Sequence, residues 1–320
     1  MEWLNILIDN NDVSIKYKTP DPMPMTPGLE AATNAIDHIY KKYPPPYTLM
    51  LSGGVDSQAM LWAWHKSGKA YNTFCGVYNN GFNENDIGTL REFSALHNIE
   101  VNFVGFDLLS FLQNEHSEYV HRYRCGSPHM TTFMKMSEQI TEGTVIMSGN
   151  FIPHLFENRK ITTTFNKPLI TKNTFGLYRY GKMTNRSIIP FFFLETEELA
   201  HSFKWKGNKA AFLDTPKTQQ GKEKLSSTRS DLPEYKNKVF LYQQEGFPVI
   251  PQVYKLTGFE NVKDYFDEHF SHLIQPRDKL YTSIDNVSQR TFDLLLRNKY
   301  EAKYSTDKYH IMKIGNFNAS

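Results

Sequence analysis

Between residues 47 and 147 the chain alternates short apolar runs with longer stretches of helical period, and that alternation restricts it to one class of fold. Tyr47–Leu51 is a short apolar run and reads as a buried strand, and Asn72–Tyr78, Val101–Phe106 and Thr144–Met147 read as the strands that follow it. Ser57–Lys66, Asn85–His97 and Met130–Ile140 read as helices; in the second, Ile87, Leu90, Phe93 and Leu96 fall near helical period. Strand and helix alternating at this spacing predict an α/β architecture, a parallel sheet flanked by helices on both faces. No internal repeat is visible.

The flanks read differently. Trp3–Ile8 and Val13–Tyr17 alternate around Asp9-Asn10-Asn11-Asp12, which predicts an N-terminal hairpin. Pro20, Pro22, Pro24 and Pro27 make an extended connector, and the helical pattern of Leu29–Tyr40 stops at Pro44-Pro45-Pro46. Beyond Pro190 come apolar Phe191–Leu194 and an acidic helix start, Thr196-Glu197-Glu198-Leu199. Residues 204–238 hold nine Lys or Arg against four Asp or Glu, a basic lid or linker, and Leu256–Phe270 and Val287–Arg297 suggest two further helices. These changes of pattern divide the chain into 1–44, 45–205 and 206–320, the last a smaller and mostly helical portion.

The strand at 47–51 breaks into Ser52-Gly53-Gly54 just before a helix. Two glycines remove the Cβ atoms that would keep backbone N–H groups from closing around an anion. The helix that follows points its positive end at the same spot, so phosphate oxygens are the implied ligand. A P-loop is excluded, since no lysine follows the glycines, and a dinucleotide fingerprint needs three spaced glycines. Ser52-Gly53-Gly54-Val55-Asp56-Ser57, set between strand and helix, resembles the signature of the PP-loop (N-type) ATP pyrophosphatases, which have an adenine nucleotide α-hydrolase-like fold. The resemblance spans residues 45–205 and includes synthetases that make asparagine, NAD, GMP and 7-cyano-7-deazaguanine.

The resemblance implies cleavage of ATP between its α and β phosphates, with AMP passed to an acceptor oxygen, and ATP and Mg²⁺ as cofactors. Ser52, Gly53, Gly54, Val55, Asp56 and Ser57 would surround the outer phosphates. A carboxylate is repelled by bare phosphate in a dry site, so Asp56 is expected to bind Mg²⁺, directly or through water; the same side chain can also cap the helix. Gly149 and Asn150, in the turn after the strand at 144–147, would lie beside the α phosphate and ribose. Tyr78 and Asn79 open the region expected to contact adenine through its backbone, while Glu84 and Asp86 are expected to lead the next helix. Charge on departing pyrophosphate needs cations. Lys172 and Arg179 are the leading candidates, ahead of Arg122, Arg124, Lys160, Lys167, Lys182, Lys204, Lys206 and Lys209. The family's lysine before the glutamates of the later motif is Thr196 here, which weakens any phosphate role for that segment.

Cys125 lies between Arg124 and Gly126 with His129 nearby, a setting in which arginines can activate a thiol. His129 and His154 are candidate bases. Cysteine and histidine spacing argues against zinc. With only Cys75 and Cys125, no disulfide framework is expected, and a reducing cytoplasm is the natural compartment. Neither a signal-peptide pattern nor an apolar stretch of spanning length is present, so no membrane is expected. A formal charge of +2 does not argue for nucleic acid by itself.

The expected activity is therefore an AMP-forming ligase or amidotransferase acting on a small-molecule acceptor. Glu2 stands where relatives with an attached glutaminase have a nucleophilic cysteine, so free ammonia, an amine or a separate glutaminase is implied as the donor, and a homo-oligomer is compatible with the chain. Modification of tRNA or another nucleic-acid base by the same adenylation is the less favoured alternative, supported by Phe203, Trp205 and Phe212 in the basic stretch. A nucleotide-binding regulator without turnover is the third.

Overall fold

The computed structural model describes residues 4–9, 12–18, 26–79, 81–123, 125, 128–149, 172–202, 233–252, 302–304 and 309–314. Its centre is a parallel sheet of β3 (Tyr47–Leu51), β4 (Asn72–Tyr78), β5 (Phe103–Phe106), β6 (Thr144–Met147) and β7 (Ser187–Ile189), preceded in the chain by β1 (Leu4–Asp9) and β2 (Asp12–Lys18). The five strands lie in the order β5-β4-β3-β6-β7. Every residue of β3 and β6 is buried, whereas the edge strands β5 and β7 are only partly covered. Residues of a strand point alternately to the two faces. Leu49, Leu51, Cys75 and Ile146 join one apolar core, and Met50, Phe74, Val145 and Met147 join the other.

The first face is covered by α1 (Gly28–Lys42), α2 (Val55–Ser67) and α3 (Glu84–His97). Ala31, Ala32, Ala35, Ile36 and Ile39 form a fully buried stripe on α1, as their helical spacing requires. Truncating either isoleucine to alanine would cost about 2–5 kcal/mol. Tyr43 turns extended after α1, ahead of the prolines at 44–46. The second face is covered by α4 (Leu108–Asn114), α5 (His116–Tyr123), α6 (Pro128–Ser137) and α7 (Lys172–Thr184). A 3-10 turn at Phe192–Leu194 leads to α8 (Glu197–Ser202), whose first turn is capped by the Thr196 hydroxyl accepting from the Leu199 amide at 3.2 Å.

Two findings concern segments outside 45–205. α9 (Pro233–Gln244) and the residues after it return to the first core through Val239, Tyr242, Phe247 and Val249, the core that also holds Ile36 and Ile39 of α1. β8 (Ala302–Tyr304) and β9 (Tyr309–Ile314), which the sequence pattern did not announce, complete a four-stranded antiparallel sheet of order β1-β2-β9-β8. The expected hairpin is present, with Ile6 opposite Ile15, and its second strand pairs with β9, Ile15 opposite Met312. The expected helices at Leu256–Phe270 and Val287–Arg297, and residues 204–232 of the basic stretch, lie outside the described residues. No described helix is long and apolar enough to cross a membrane.

Candidate functional site

The strand order reverses between β3 and β6, so the connections leaving their carboxyl ends diverge and open a crevice, the usual ligand position in an open α/β sheet. The Ser52–Gly54 turn leaves β3 there, and Ser148-Gly149 leaves β6 beside it, the register pairing Met50 with Met147.

Gly53 has φ +83°, and a Cβ built on it would stand 2.6 Å from the carbonyl carbon of Asp86 and closer still to its oxygen. The turn is thus pressed against the first turn of α3, an approach open only to glycine. Gly54 is the N-cap of α2 and supplies no side-chain cap. The first amides of a helix lack partners within it, so the end of α2 offers donors to an anion. The Ser57 hydroxyl donates to the Gly54 carbonyl at 2.8 Å and accepts weakly from the Ser52 amide at 3.4 Å. Ser57 is 1% exposed and braces the loop from within; Ser52 is half-buried. Val55 is buried in the first core and anchors the turn by its side chain.

Asp56 sits in the first turn of α2, half-buried. The hydroxyl of Tyr242 donates to its Oδ1 at 2.6 Å. Tyr242 is fully buried, its ring near those of Phe193 and Phe247 with centroids 5.6 Å away in each case. Burial, and secondarily the Asp56 carboxylate, push its phenol well above the ordinary tyrosine range, so it stays a neutral donor. The stretch after α9 continues along the same corner. Gln58 donates to the carbonyls of Gly53 at 2.8 Å and Ile250 at 3.1 Å, and accepts from the Ile250 amide at 2.8 Å. Gln252 donates to the buried Asp86 carboxylate, and the Glu245 carboxylate accepts from the Gly28 amide at the start of α1 at 2.6 Å. Nothing in sequence periodicity pointed to Tyr242, Gln58 or Gln252, whose partners Asp56, Ile250 and Asp86 lie 166 to 192 residues away.

Gly149 has φ +72°, and an added Cβ would lie 2.5 Å from Phe191 Cδ1 and 2.8 Å from the Pro190 carbonyl oxygen. Its turn therefore lies against the Pro190-Phe191 corner; Asn150 is outside the described residues. On the other side of the loop, Tyr78 ends β4 with its ring buried in the second core. Its amide donates to Asn83 Oδ1 at 2.9 Å, Asn83 Nδ2 donates to Gly76 O at 2.8 Å, and the Asn79 amide donates to Phe106 O at 3.1 Å. These bonds make a braced rim whose amides at 78 and 79 are already engaged. Glu84 and Asp86 lie in the first turn of α3, as expected, Glu84 pairing with Arg91 at 2.6 Å.

Lys172 is the first residue of α7, its side chain outside the described set; Arg179 lies on the same helix and is 9% exposed. Tyr178 brings this helix against Phe191, the ring that meets Gly149, with centroids 5.9 Å apart. Arg122 is exposed and pairs weakly with Glu118 at 3.5 Å, and Lys182 is exposed. Arg124, Lys160, Lys167, Lys204, Lys206, Lys209 and His154 lie outside the described residues.

Cys125 lacks the exposure that a thiol activated by neighbouring arginines would need. It is fully buried, with its Cβ and sulfur packed on Gly176 of α7. Cys75 is buried too, and desolvation followed by the Asp86 charge pushes its thiol up to about 12. His129 is half-buried with its ring edge-on to Phe133, 4.5 Å between centroids. A cavity of about 590 Å³ lies at the opposite ends of the strands, lined by Pro46, Thr48, Asn72, Asn102 and Glu142 among others, away from the glycine turn.

No protein-family model matches the chain, and a search of curated proteins found no match. Among solved structures, an NMN synthetase from Francisella tularensis is similar at 13% identity and TM-score 0.32, covering 79% of this chain and 98% of that one. A U34-tRNA thiolase from Methanococcus maripaludis, solved with an iron–sulfur cluster, is similar at 15% identity and TM-score 0.30, covering 88% of this chain and 82% of its own. The fold reading rests on the strand order itself.

Proposed function

We propose that this protein is a PP-loop ATP pyrophosphatase, working as an AMP- and pyrophosphate-forming ligase or amidotransferase. What carries the reading is the Ser52-Gly53-Gly54 turn, without side chains at its two glycines, leading into a helix that lacks a side-chain cap at the switch point of a parallel sheet. Donors of that kind suit the β and γ phosphates, which leave together. Gly149, held against Pro190 and Phe191, lets backbone approach at the neighbouring turn, where the α phosphate would lie.

In the proposed reaction an oxygen of an acceptor carboxylate or carbonyl attacks the α phosphorus. The bond to the bridging oxygen breaks, and its electron pair leaves with pyrophosphate. Ammonia or an amine then attacks the adenylated carbon and displaces AMP. Arg179 and Lys172 of α7 are the cations assigned to the departing charge. Residues 242–252 hold Asp56 and Gln58 in register with the turn.

Among the described residues no three His, Cys, Asp or Glu side chains gather into a metal site. Magnesium arriving with a triphosphate draws most ligands from phosphate and water and needs only one or two carboxylates, so Asp56 alone fits it. When bound, the cation would neutralise phosphate charge and strengthen the leaving group.

The test is incubation with labelled ATP, Mg²⁺ and a pool of candidate acceptors, following AMP, pyrophosphate and acceptor mass. AMP and pyrophosphate are expected, and Asp56→Ala should lose turnover at least a hundredfold while keeping the circular dichroism spectrum of the parent. Formation of ADP would reject the assigned bond.

A further inference from the structure

Asp56 is held from outside the segment that carries the glycine turn. Its partner, Tyr242, lies 186 residues on, and α9 brings it there as part of a continuous attachment. Gln58 and Ile250 exchange two hydrogen bonds, Gln252 reaches Asp86, and Trp62 donates to the Gly246 carbonyl at 3.0 Å. All these contacts land on α2 or on the start of α3, the two elements that grip the turn.

We propose that Tyr242 is a positioning residue that orients the Asp56 carboxylate for a divalent cation, so that α9 and residues 245–252 belong to the nucleotide site. The inference rests on the ATP-binding function proposed above and adds a residue to it.

The chemistry of the donor matters. A lysine or arginine at this position would neutralise the carboxylate and compete with a cation. A phenol donates one hydrogen bond and leaves the negative charge in place. With its ring fully buried and packed near Phe193 and Phe247, the hydroxyl is held toward Asp56, which gives one carboxylate oxygen a preferred direction. A carboxylate oriented in advance loses less freedom when a cation binds. The carboxylate lies in the first turn of α2, where the helix end already favours negative charge. Tyr242 therefore contributes to the cation without touching it.

The experiment compares Tyr242→Phe with the parent protein, using Mn²⁺ as the probe. Free Mn²⁺ is followed by electron paramagnetic resonance at saturating ATP, and ATP binding without metal is measured by calorimetry in EDTA. Tyr242→Phe is expected to weaken Mn²⁺ about tenfold while metal-free ATP affinity stays within about twofold, the pattern of a lost orienting contact. In an Asp56→Asn background the same change should have no further effect on Mn²⁺. Phe93→Leu, which loosens the same core about two turns along α3 from Asp86, should leave Mn²⁺ affinity unchanged. Parental Mn²⁺ affinity in folded Tyr242→Phe, or an equal loss in Phe93→Leu, overturns the proposal. If Tyr242→Phe does not fold, 3-fluorotyrosine at 242 keeps ring and hydroxyl and must shift Mn²⁺ affinity; no shift overturns it. A parent that binds no ATP would instead defeat the functional reading itself.

Discussion

Gly53 and Gly54 are adjacent and share a residue type, yet the structure places them in different settings. Gly53 holds φ +83° with the Asp86 backbone where its Cβ would be. Placing alanine there costs about 1–2 kcal/mol for the left-handed conformation and about 1–3 kcal/mol for forcing α3 or the turn aside. The entropy removed from the unfolded chain returns only about 0.4–1 kcal/mol. A net loss of about 1–5 kcal/mol follows, or roughly 2–20 °C in Tm at the sensitivity of larger domains. Gly54 has φ −66° and ψ 160°, and its added Cβ would meet only Ser52 Oγ at 3.6 Å. Alanine is a poorer N-cap than glycine by about 0.5–1 kcal/mol, and the entropy gain in the unfolded chain nearly offsets that. Gly54→Ala should therefore melt within about 2 °C of the parent. It nevertheless sets a methyl group at the donors of the turn, and ATP affinity should fall at least tenfold. Scanning calorimetry and ATP titration on both variants test the pair. A Gly54→Ala protein that melts normally and binds ATP as the parent does would refute the phosphate cradle; an unaltered Tm for Gly53→Ala would refute the close approach to α3.

Two further outcomes follow from buried groups on the second face and in the sheet. His116 is fully buried, its Nδ1 2.9 Å from the Thr131 hydroxyl, and desolvation lowers its pKa from 6.5 to about 4. The unfolded chain takes up that proton first, so the stability of the neutral imidazole is whole above pH 6.5 and is lost as pH falls toward 4, by about 3 kcal/mol. Urea titrations at pH 7.5 and 4.5 should show that loss and His116→Gln should remove most of it; an identical acid slope in the variant would assign it elsewhere. Cys75 and Cys125 are both buried, and Cys75 keeps its proton with a thiol pushed up to about 12. A disulfide reagent at pH 8 should label neither within minutes on the folded protein and both in denaturant, and prompt labelling of Cys125 in the native state would contradict its packing on Gly176.

The limits of β3, β4 and β6 were readable residue for residue, and the reason is local. Central strands of a parallel sheet are buried on both faces, so β3, the middle of β4 and β6 are largely apolar and β3 ends at a glycine turn. The glycine turn was readable too, because two glycines between strand and helix carry a backbone requirement that no partner elsewhere is needed to explain. β7, with three residues, is too short for a pattern, and α7 carries Gly176 and Gly181 inside it. α4 and α5 are short helices on the second face whose identity depends on what they cover.

The site divides along the same line. The chain alone determined a glycine turn between strand and helix followed by an acidic residue in the first turn of that helix, since both depend on neighbours within a few positions. Tertiary structure decided that the Ser57 hydroxyl faces inward, that Cys125 is sealed under α7, and that Tyr242 holds Asp56 from 186 residues away. Periodicity reports which face of an element is buried, but a hydrogen bond between two such faces depends on how the helices settle on the sheet. That is a property of the assembled core, and no single stretch of the chain contains it.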